Sequence, residues 1–304
     1  MTTYIKLTLT AIFWGGTFVA GRFIGPDITP VNAAFLRFSI ASFFLIILTK
    51  KVEGSFPAIS RKQILPIFLS GATGVFFYNL LFFEGLRHIH AGRAALIIAM
   101  NPIVISLLSA LLFKEKLNFI KALGIILSVT GALVVISNGQ LTGIVGYHMG
   151  KGELLLFGCV ASWVSYSLIG KLIMGSLSPL VSVCYSSLAG TALLAVPFLI
   201  SGQFHEIMTY TLPDWGNLFY LGFFGTVLGF FWYYEGINII GPMKASVFIN
   251  VVPVSAIILS YFILDEAITP SLFSGGLLVI SGVYATNASD MIRTTLTRLS
   301  HNLR

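Results

Sequence analysis

The chain has 304 residues, of which 56% are hydrophobic and only 10% are charged. Ordinary soluble domains carry roughly 25% charged residues, so this composition excludes a water-soluble globular protein. The net charge of +7 does not indicate nucleic-acid binding, because the 18 basic residues are scattered over short loops and form neither a patch nor a basic helix.

Ten hydrophobic stretches follow one another along the chain. A hydrocarbon core of about 30 Å requires roughly 20 helical residues per crossing. The stretches predict ten transmembrane helices, at 4–23, 31–49, 63–85, 93–113, 118–137, 152–172, 179–200, 216–236, 244–264 and 270–287. We therefore expect an all-α membrane protein, with an uncleaved first helix because nine further spans follow it.

The first predicted helix carries Trp14 and Thr17 at its middle, although tryptophan is normally enriched at the membrane interfaces. The sixth helix places Trp163 and Tyr166 at the same depth. Two midplane tryptophans predict the walls of a central substrate cavity. The alternative is helix packing, in which small residues let neighbouring helices approach closely around a tryptophan.

Arg37 lies two turns inside the second predicted helix. A cation without a counter-charge inside the hydrocarbon core costs roughly a few kcal/mol or more. The Arg37 side chain should therefore face a partner, water or a ligand. We predict that it binds a substrate carboxylate. The alternatives are that it snorkels to the outer surface or pairs with Glu84 to hold the fold.

Polar and aromatic residues on three further helices complete the predicted substrate-binding set. An asparagine in hydrocarbon requires a hydrogen bond, from another helix or from a substrate. The additional candidates are Tyr78 and Asn79 on the third helix, Asn101 on the fourth, and Phe248 and Asn250 on the ninth.

Prolines lie within the fourth and ninth predicted helices, at Pro102 and Pro253. Proline removes a backbone donor and exposes a carbonyl one turn earlier, which at membrane depth must face protein or a polar cavity. We predict that both are hinges of alternating access. A plain kink is the alternative.

Glu84 and Glu235 close the third and eighth helices, each nine residues before a basic residue, Arg93 or Lys244. This spacing predicts an interfacial ion pair that pins each helical hairpin, with proton coupling as the alternative.

The remaining reactive residue types give no catalytic or metal-binding pattern. Cys159 and Cys184 lie in apolar spans without ligand-like spacing, and His88 and His90 flank one residue of an outer turn, a weak metal signal. The sequence contains no GxxxxGK[ST], HExxH or GxSxG motif. We expect no metal or cofactor, and neither an ATP-driven motor nor an enzyme.

The chain contains an internal repeat. Residues 84–131 align without a gap to 235–282 at a shift of 151, with 12 of 48 positions identical, and the upstream part aligns at a shift of 149. We predict two five-helix units, 1–137 and 152–287, joined by a linker at 138–151 and followed by a basic tail at 288–304 that could lie along the inner leaflet. Five helices is an odd number, so the second unit must enter the membrane inverted.

Charge in the loops predicts the orientation. With the amino terminus inside, 13 basic residues fall on the cytoplasmic side and four outside, which places both termini in the cytoplasm.

Several of these residues resemble a known family. Trp14, Pro30 followed by LRF with Arg37, and the run HAGRAALIIAMNPIVISLLSALLFKEKL with Pro102 and Glu115 are similar to EamA-type members of the drug/metabolite transporter superfamily. The resemblance covers nearly the whole chain. It implies a ten-helix fold of two inverted repeats around a central substrate path, and export of amino acids or other small metabolites. The second copy departs from the pattern, because Ser186 replaces the arginine and no basic residue follows its glutamate.

The sequence thus predicts a secondary transporter of the cell membrane for small amphipathic metabolites, with lipid as its surroundings. The alternatives are efflux of lipophilic cations and, from a different class, a membrane-embedded enzyme. The absence of an acid at the midplane of the predicted spans counts against the first, and the absence of clustered His, Asp or Glu counts against the second.

Overall fold

The computed structural model of the protein describes residues 1–23, 28–86, 88, 97–137, 150–265 and 269–302. These residues form ten long helices and one short 3₁₀ helix (Gln203–Thr209), and none of them forms a strand. The 3₁₀ helix lies between the seventh and the eighth of the ten. The helices are α1 (Thr2–Phe23), α2 (Pro30–Glu53), α3 (Arg61–Gly71, Ala72–Phe77 and Tyr78–Leu86), α4 (Asn101–Phe113), α5 (Phe119–Ile136), α6 (Lys151–Ile173), α7 (Pro179–Ser201), α8 (Leu212–Gly222, Phe223–Leu228 and Gly229–Ile240), α9 (Pro242–Ser246, Val247–Asn250 and Val251–Leu264) and α10 (Pro270–Asn302).

Each of the ten predicted stretches overlaps one of these helices, the fourth only over Asn101–Phe113. Seven are long and apolar enough to cross a membrane, namely α2, α3, α5, α6, α7, α9 and α10. The described part of α4 is a shorter apolar helix. The other two helices, α1 and α8, are long, but they contain threonine, glycine, tyrosine and tryptophan, which lower their mean hydropathy. The protein is therefore a multi-pass helical membrane protein, and ten crossings remain a prediction.

Helix starts use the same local chemistry in both halves of the chain. Thr29 and Ser178, which lie 149 positions apart, each accept a backbone N–H at the start of a helix that has proline in its first turn. Thr211 and Asp214 form the reciprocal bonds of a capping box at the start of α8. At the corresponding start of α3, 151 positions earlier, the Gln63 side chain accepts the Ser60 N–H in the same way. Such caps satisfy donors that the helix leaves unpaired. The repeat is therefore present in the local structure as well as in the sequence.

Interruptions of the helices also recur at the repeat spacing. Residues 72–77 of α3 and 223–228 of α8 are π-helical. Lys114 and Asp265 directly follow the last residues of α4 and α9. They are the two described non-glycine residues with positive φ, and their N–H groups donate to the carbonyls of Ser109 and Ser260. π-Helical turns are rare and occur frequently at functional sites. The sequence did not predict them.

The two predicted hinge prolines lie at the starts of helical segments. Pro102 is in the first turn of α4, after a turn at residues 99–100, and Pro253 is the third residue of the last segment of α9, after a 3₁₀ turn. Proline is tolerated in a first turn because its missing N–H would have no intrahelical partner there. The two prolines, predicted to lie in mid-helix, thus lie just after breaks between helical segments, and their role as hinges stays a prediction. Residues 93–96 of the predicted fourth span lie outside the described residues.

Small residues hold α5 against α10, the most extensive helix pair. A Cβ added to Gly124 would lie 2.8 Å from the Gly282 carbonyl oxygen, and a Cβ added to Gly275 would lie 2.6 Å from that of Gly131. Gly124 corresponds to Gly275 in the repeat, and Gly131 to Gly282. The contact is therefore reciprocal, as it is between two copies related by a two-fold axis. The hydroxyls of Ser42 and Thr191, which also correspond, bond to each other at 2.9 Å.

One of the two predicted ion pairs at the helix ends differs in the structure, and the other, between Glu84 and Arg93, is not tested because Arg93 lies outside the described residues. The Glu235 carboxylate accepts two hydrogen bonds from Lys6 of α1, at 2.7 and 2.8 Å. The predicted partner was instead Lys244, at the start of the next helix. Glu84 lies 3.3 Å from Lys151 and 3.2 Å from His88. Arg93 and His90 lie outside the described residues. The ion pair of Glu235 thus joins α1 to α8 rather than α8 to α9.

Two further expectations concern buried cysteines and the tail. Cys159 and Cys184 are buried and free, as predicted. Helix α10 continues without a break from Pro270 to Asn302, so the segment predicted as a separate tail from residue 288 extends the last helix.

Candidate functional site

The two predicted midplane tryptophans meet each other. The ring centroids of Trp14 on α1 and Trp163 on α6 lie 5.3 Å apart with an interplanar angle of 85°. This edge-to-face arrangement is the favourable one for aromatic pairs. The two residues correspond in the repeat, so their contact lies where the two halves of the chain face each other. Trp163 is 6% exposed.

Further aromatic side chains surround this pair and form what we call the aromatic cluster. Four rings lie within 5.6 Å of the Trp163 ring, centroid to centroid, and they come from three helices: Tyr78 on α3, Tyr166 on α6, and Phe230 and Tyr233 on α8. Phe230 and Tyr233 also contact Trp14, at 6.2 and 5.4 Å. The cluster therefore draws on four helices, with both halves of the chain contributing.

The π-helical segments and nearby glycines make room for the cluster. The indole N–H of Trp14 donates to the Gly225 carbonyl at 2.8 Å. Gly74 lies against the Tyr166 ring, Gly225 against the Thr17 methyl, and Gly229 against the Trp14 indole nitrogen, and a Cβ at any of the three would collide. The contacts of Gly74 and Gly225 correspond to each other in the repeat. Small residues that let a helix backbone approach a large ring thus set the geometry of the cluster.

Arg37 reaches the same region from α2. Its Nη2 donates to the Thr226 hydroxyl at 3.2 Å, and its guanidinium carbon lies 4.8 Å from the centre of the Phe38 ring. Thr226 is in the π-helical segment of α8, next to the Gly225 carbonyl that binds Trp14. No described carboxylate forms an ion pair with Arg37, and the described partners of Glu84 are His88 and Lys151.

Three polar atoms at the cluster have no hydrogen-bond partner among the described residues. They are Nε of Arg37, Nε1 of Trp163 and the hydroxyl of Tyr166. Buried polar groups in native proteins are nearly always hydrogen-bonded, and an unpaired one costs about 1–3 kcal/mol. The cluster therefore offers hydrogen-bonding groups to a bound molecule.

Other predicted binding residues point elsewhere. Asn79 donates to the Val75 carbonyl and Thr17 to that of Trp14, each within its own helix. Asn101 bonds the Ile98 carbonyl, and Asn250 bonds Ser128 on α5. Phe248 stacks on Tyr4, with ring centroids 6.2 Å apart. The described contacts thus unite Trp14, Arg37, Tyr78, Trp163 and Tyr166, with Thr17 bonded to the backbone of Trp14. Asn79, Asn101, Phe248 and Asn250 have described contacts elsewhere, although the side-chain oxygens of Asn101 and Asn250 have no described hydrogen-bond partner.

Sequence reasoning missed several members of the site. Thr226, Phe230, Tyr233 and Tyr234 of α8 were not predicted, although Tyr234 donates to the Tyr166 carbonyl at 2.9 Å and bonds the Ser70 hydroxyl at 3.0 Å. The available signal was the run FFWYY at 230–234, which concentrates five aromatic residues inside one predicted span.

Comparison with known proteins gives the family. An uncharacterized transporter of Bacillus subtilis (strain 168), YyaM, is 31% identical over 290 residues, which cover 95% of this chain and 94% of the relative. A probable terminal-alkyne amino-acid exporter of Streptantibioticus cattleyicolor is 28% identical over 289 residues, 94% of each chain.

A solved crystal structure shares the fold, with a TM-score of 0.74 over 94% of this chain and 97% of its own, at 19% identity. The model of the EamA-like transporter family matches residues 1–137 and 150–288. The chain belongs to the EamA-like transporter family, and its relatives are transporters rather than enzymes.

Proposed function

We propose that this transporter exports amino acids, or closely related amphipathic carboxylates, across the cell membrane by alternating access. The observation that carries the proposal is Arg37, a cation inside a predicted span whose Nε has no described partner and which faces no described carboxylate. Removing a charge from water is costly unless it is paired. A substrate carboxylate would supply the missing counter-charge.

The shape of the guanidinium favours a carboxylate in particular. A planar guanidinium holds a carboxylate through two parallel hydrogen bonds, which a lysine ammonium cannot do. The Thr226 hydroxyl accepts a hydrogen bond from Nη2 of Arg37. Nε has no described partner and would donate to the ligand.

The aromatic cluster suits the other end of such a substrate. Ligand sites are mostly apolar and aromatic, with a few polar groups that fix orientation. The rings of Trp14, Trp163 and Tyr233 would pack an apolar side chain, and the free Nε1 of Trp163 would donate to a polar atom. None of the described residues of the cluster is acidic, which disfavours lipophilic cations as substrates.

The reciprocal helix contacts support alternating access between two inverted repeats of five spans. The repeat makes the contact of Gly124 with Gly282 equivalent to that of Gly275 with Gly131. Ser42 hydrogen-bonds to its own counterpart, Thr191. Transporters built from inverted repeats bind substrate near the midplane, where the repeats meet. The relative named as a probable amino-acid exporter supports both the substrate class and the outward direction.

The carboxylate assignment is tested in liposomes that contain purified protein, with an amino acid and its amide as paired substrates and with and without a pH gradient. We expect Arg37→Lys to reduce transport of the amino acid markedly and Arg37→Ala nearly to abolish it. The amide should lose far less, and the melting temperature in detergent should be kept. Equal loss for both compounds, or a melting temperature that falls with transport, would assign Arg37 to the fold instead.

The orientation has its own test. Reporters fused after Lys51 and after Arg304 should be cytoplasmic, and one inserted within residues 203–212 should be external. A cytoplasmic result at 203–212 would contradict the inverted ten-span arrangement.

A further inference from the structure

The turn between α8 and α9 is held by charged side chains from other helices. Gly241 forms this turn with φ of +85°, a conformation that favours glycine, and its N–H bonds the Ile237 carbonyl at 3.1 Å. We call the end of the helix bundle that carries this turn the Lys6 end.

Glu115 holds the start of α9. It lies in the loop that follows α4, in the first half of the chain, and its carboxylate lies against Gly241 and next to the backbone N–H of Met243 in the first turn of α9. A Cβ on Gly241 would collide with that carboxylate. An oxygen acceptor at a helix N-terminus satisfies an unpaired backbone donor, whether or not the carboxyl group is ionised.

Two lysines hold the end of α8. Lys171 of α6 donates to the carbonyls of Ile237 and Asn238, at 3.4 and 3.3 Å. Cations are favourable at a helix C-terminus, where carbonyls are unpaired. Lys6 of α1 donates two bonds to Glu235, whose ion pair has side chains only 28% and 25% exposed.

The contact near the corresponding position at the other end is looser. Glu84, the counterpart of Glu235, lies 3.3 Å from Lys151, and these side chains are 39% and 65% exposed. Exposed ion pairs contribute little, because water and salt screen them. The described pair at the Lys6 end is therefore the less exposed of the two.

We propose that Glu115, Lys171 and the Lys6–Glu235 pair form a clamp on the α8–α9 turn that keeps the Lys6 end of the transport path closed. The clamp binds to the backbone ends of both helices from separate elements. When it is released, the first segment of α9, Pro242–Ser246, is free to move about the 3₁₀ turn at Val247–Asn250 that follows it. This inference rests on the proposed alternating access and adds the device that controls one end of it.

The test measures opening without any substrate. Ser246 is fully buried behind the turn, so Ser246→Cys serves as the reporter in protein whose Cys159 and Cys184 are replaced by alanine. The labelling rate with a membrane-impermeant maleimide is measured in lipid nanodiscs. Glu115→Ala removes the acceptor and should speed labelling at least about fivefold, the factor expected for loss of one helix cap of ordinary strength. Glu115→Gln keeps an oxygen acceptor and should label nearly as slowly as the parent.

A matched control and a second variant keep the test decisive. Glu53 binds the Ser178 hydroxyl at the same end of the bundle, away from the turn, so Glu53→Gln should leave the rate unchanged. Lys6→Gln breaks a partly exposed pair, should still fold, and should also speed labelling.

If Glu53→Gln raises the labelling rate as much as Glu115→Ala does, the substitutions loosen the whole bundle rather than the clamp. If neither Glu115→Ala nor Lys6→Gln changes the labelling rate, the clamp proposal is wrong. Because no substrate is involved, neither result depends on the amino-acid assignment.

Discussion

Adjacent glycines of α10 give a sharp test of the α5–α10 contact. A Cβ on Gly275 would lie 2.6 Å from both the Gly131 carbonyl oxygen and the Val135 Cγ2, and 3.0 Å from the Val135 nitrogen. A Cβ on the next residue, Gly276, would meet only Val254 Cγ1, at 3.7 Å. Each substitution adds the same methyl group to the same helix, so only the neighbours differ.

The expected magnitudes follow from those distances. Backbone atoms at 2.6 Å cannot rotate away, so Gly275→Ala must push the two helices apart, and overpacking of this kind costs about 1–3 kcal/mol. Gly276→Ala causes no collision and gains helix propensity, about 0.8–1 kcal/mol in water. With roughly 2 °C per kcal/mol for a chain of this size, Gly275→Ala should lower the melting temperature by a few degrees, and Gly276→Ala should hold or raise it.

The measurement is the apparent melting temperature of the purified protein in one detergent, with all variants heated at the same rate. Gly131→Ala should resemble Gly275→Ala, because the repeat relates their environments and a Cβ there would lie 2.5 Å from the Gly275 carbonyl oxygen. If Gly275→Ala and Gly276→Ala melt together, or if Gly275→Ala is the more stable, the close approach of these helices is not what the structure indicates.

Three other changes probe the site, the helix breaks and the clamp. Trp163→Phe keeps a ring but removes an indole N–H that has no described partner, so transport affinity should fall while the melting temperature holds or rises; a melting temperature that falls with affinity would indicate packing alone. Pro253→Ala, like Pro102→Ala, restores a backbone donor beside a helix break and should lower turnover more than substrate binding; unchanged turnover in both variants would make the breaks incidental. Burial raises the pKa of the Glu115 carboxyl, although the Met243 N–H and three nearby lysines oppose the rise (Lys121, Lys171 and Lys244). A raised pKa means that the described conformation gains stability as pH falls through that pKa and loses it as pH rises through it. The melting temperature of the wild type should therefore fall relative to that of Glu115→Gln as pH rises above the ordinary carboxyl range, and a pH-independent difference would contradict this.

Much of the architecture was predictable because a membrane helix is encoded locally. It satisfies its own backbone hydrogen bonds and needs only about 20 apolar residues in sequence, so all ten helices could be located by counting. The repeat and the caps at Thr29, Ser60, Ser178 and Thr211 are also properties of short stretches. The EamA relationship followed from residues that can be quoted from the chain, and the family match confirms it.

The site was predicted only in part, because depth in the membrane can be inferred from position along a helix but rotation about the helix axis cannot. Trp14 and Trp163 were placed at equal depth and do meet. Asn79, placed toward the outer half of its helix, and Asn250, placed just before Pro253, hydrogen-bond to other partners. Helix rotation is set by packing against neighbouring helices. Hydrophobicity along the chain carries little information about it.

Partners that are distant in sequence were decided by the tertiary structure alone. Arg37 binds Thr226, 189 positions away, and Lys6 binds Glu235, 229 positions away. The π-helical turns that present Gly225 and Thr226 carry no local signal that we recognised, because they form where packing against α1 and α2 stabilises a widened helix. The sequence by itself therefore determined the helices, the repeat and the family. Packing between the two halves determined which side chains meet, because only the folded bundle brings together residues more than a hundred positions apart.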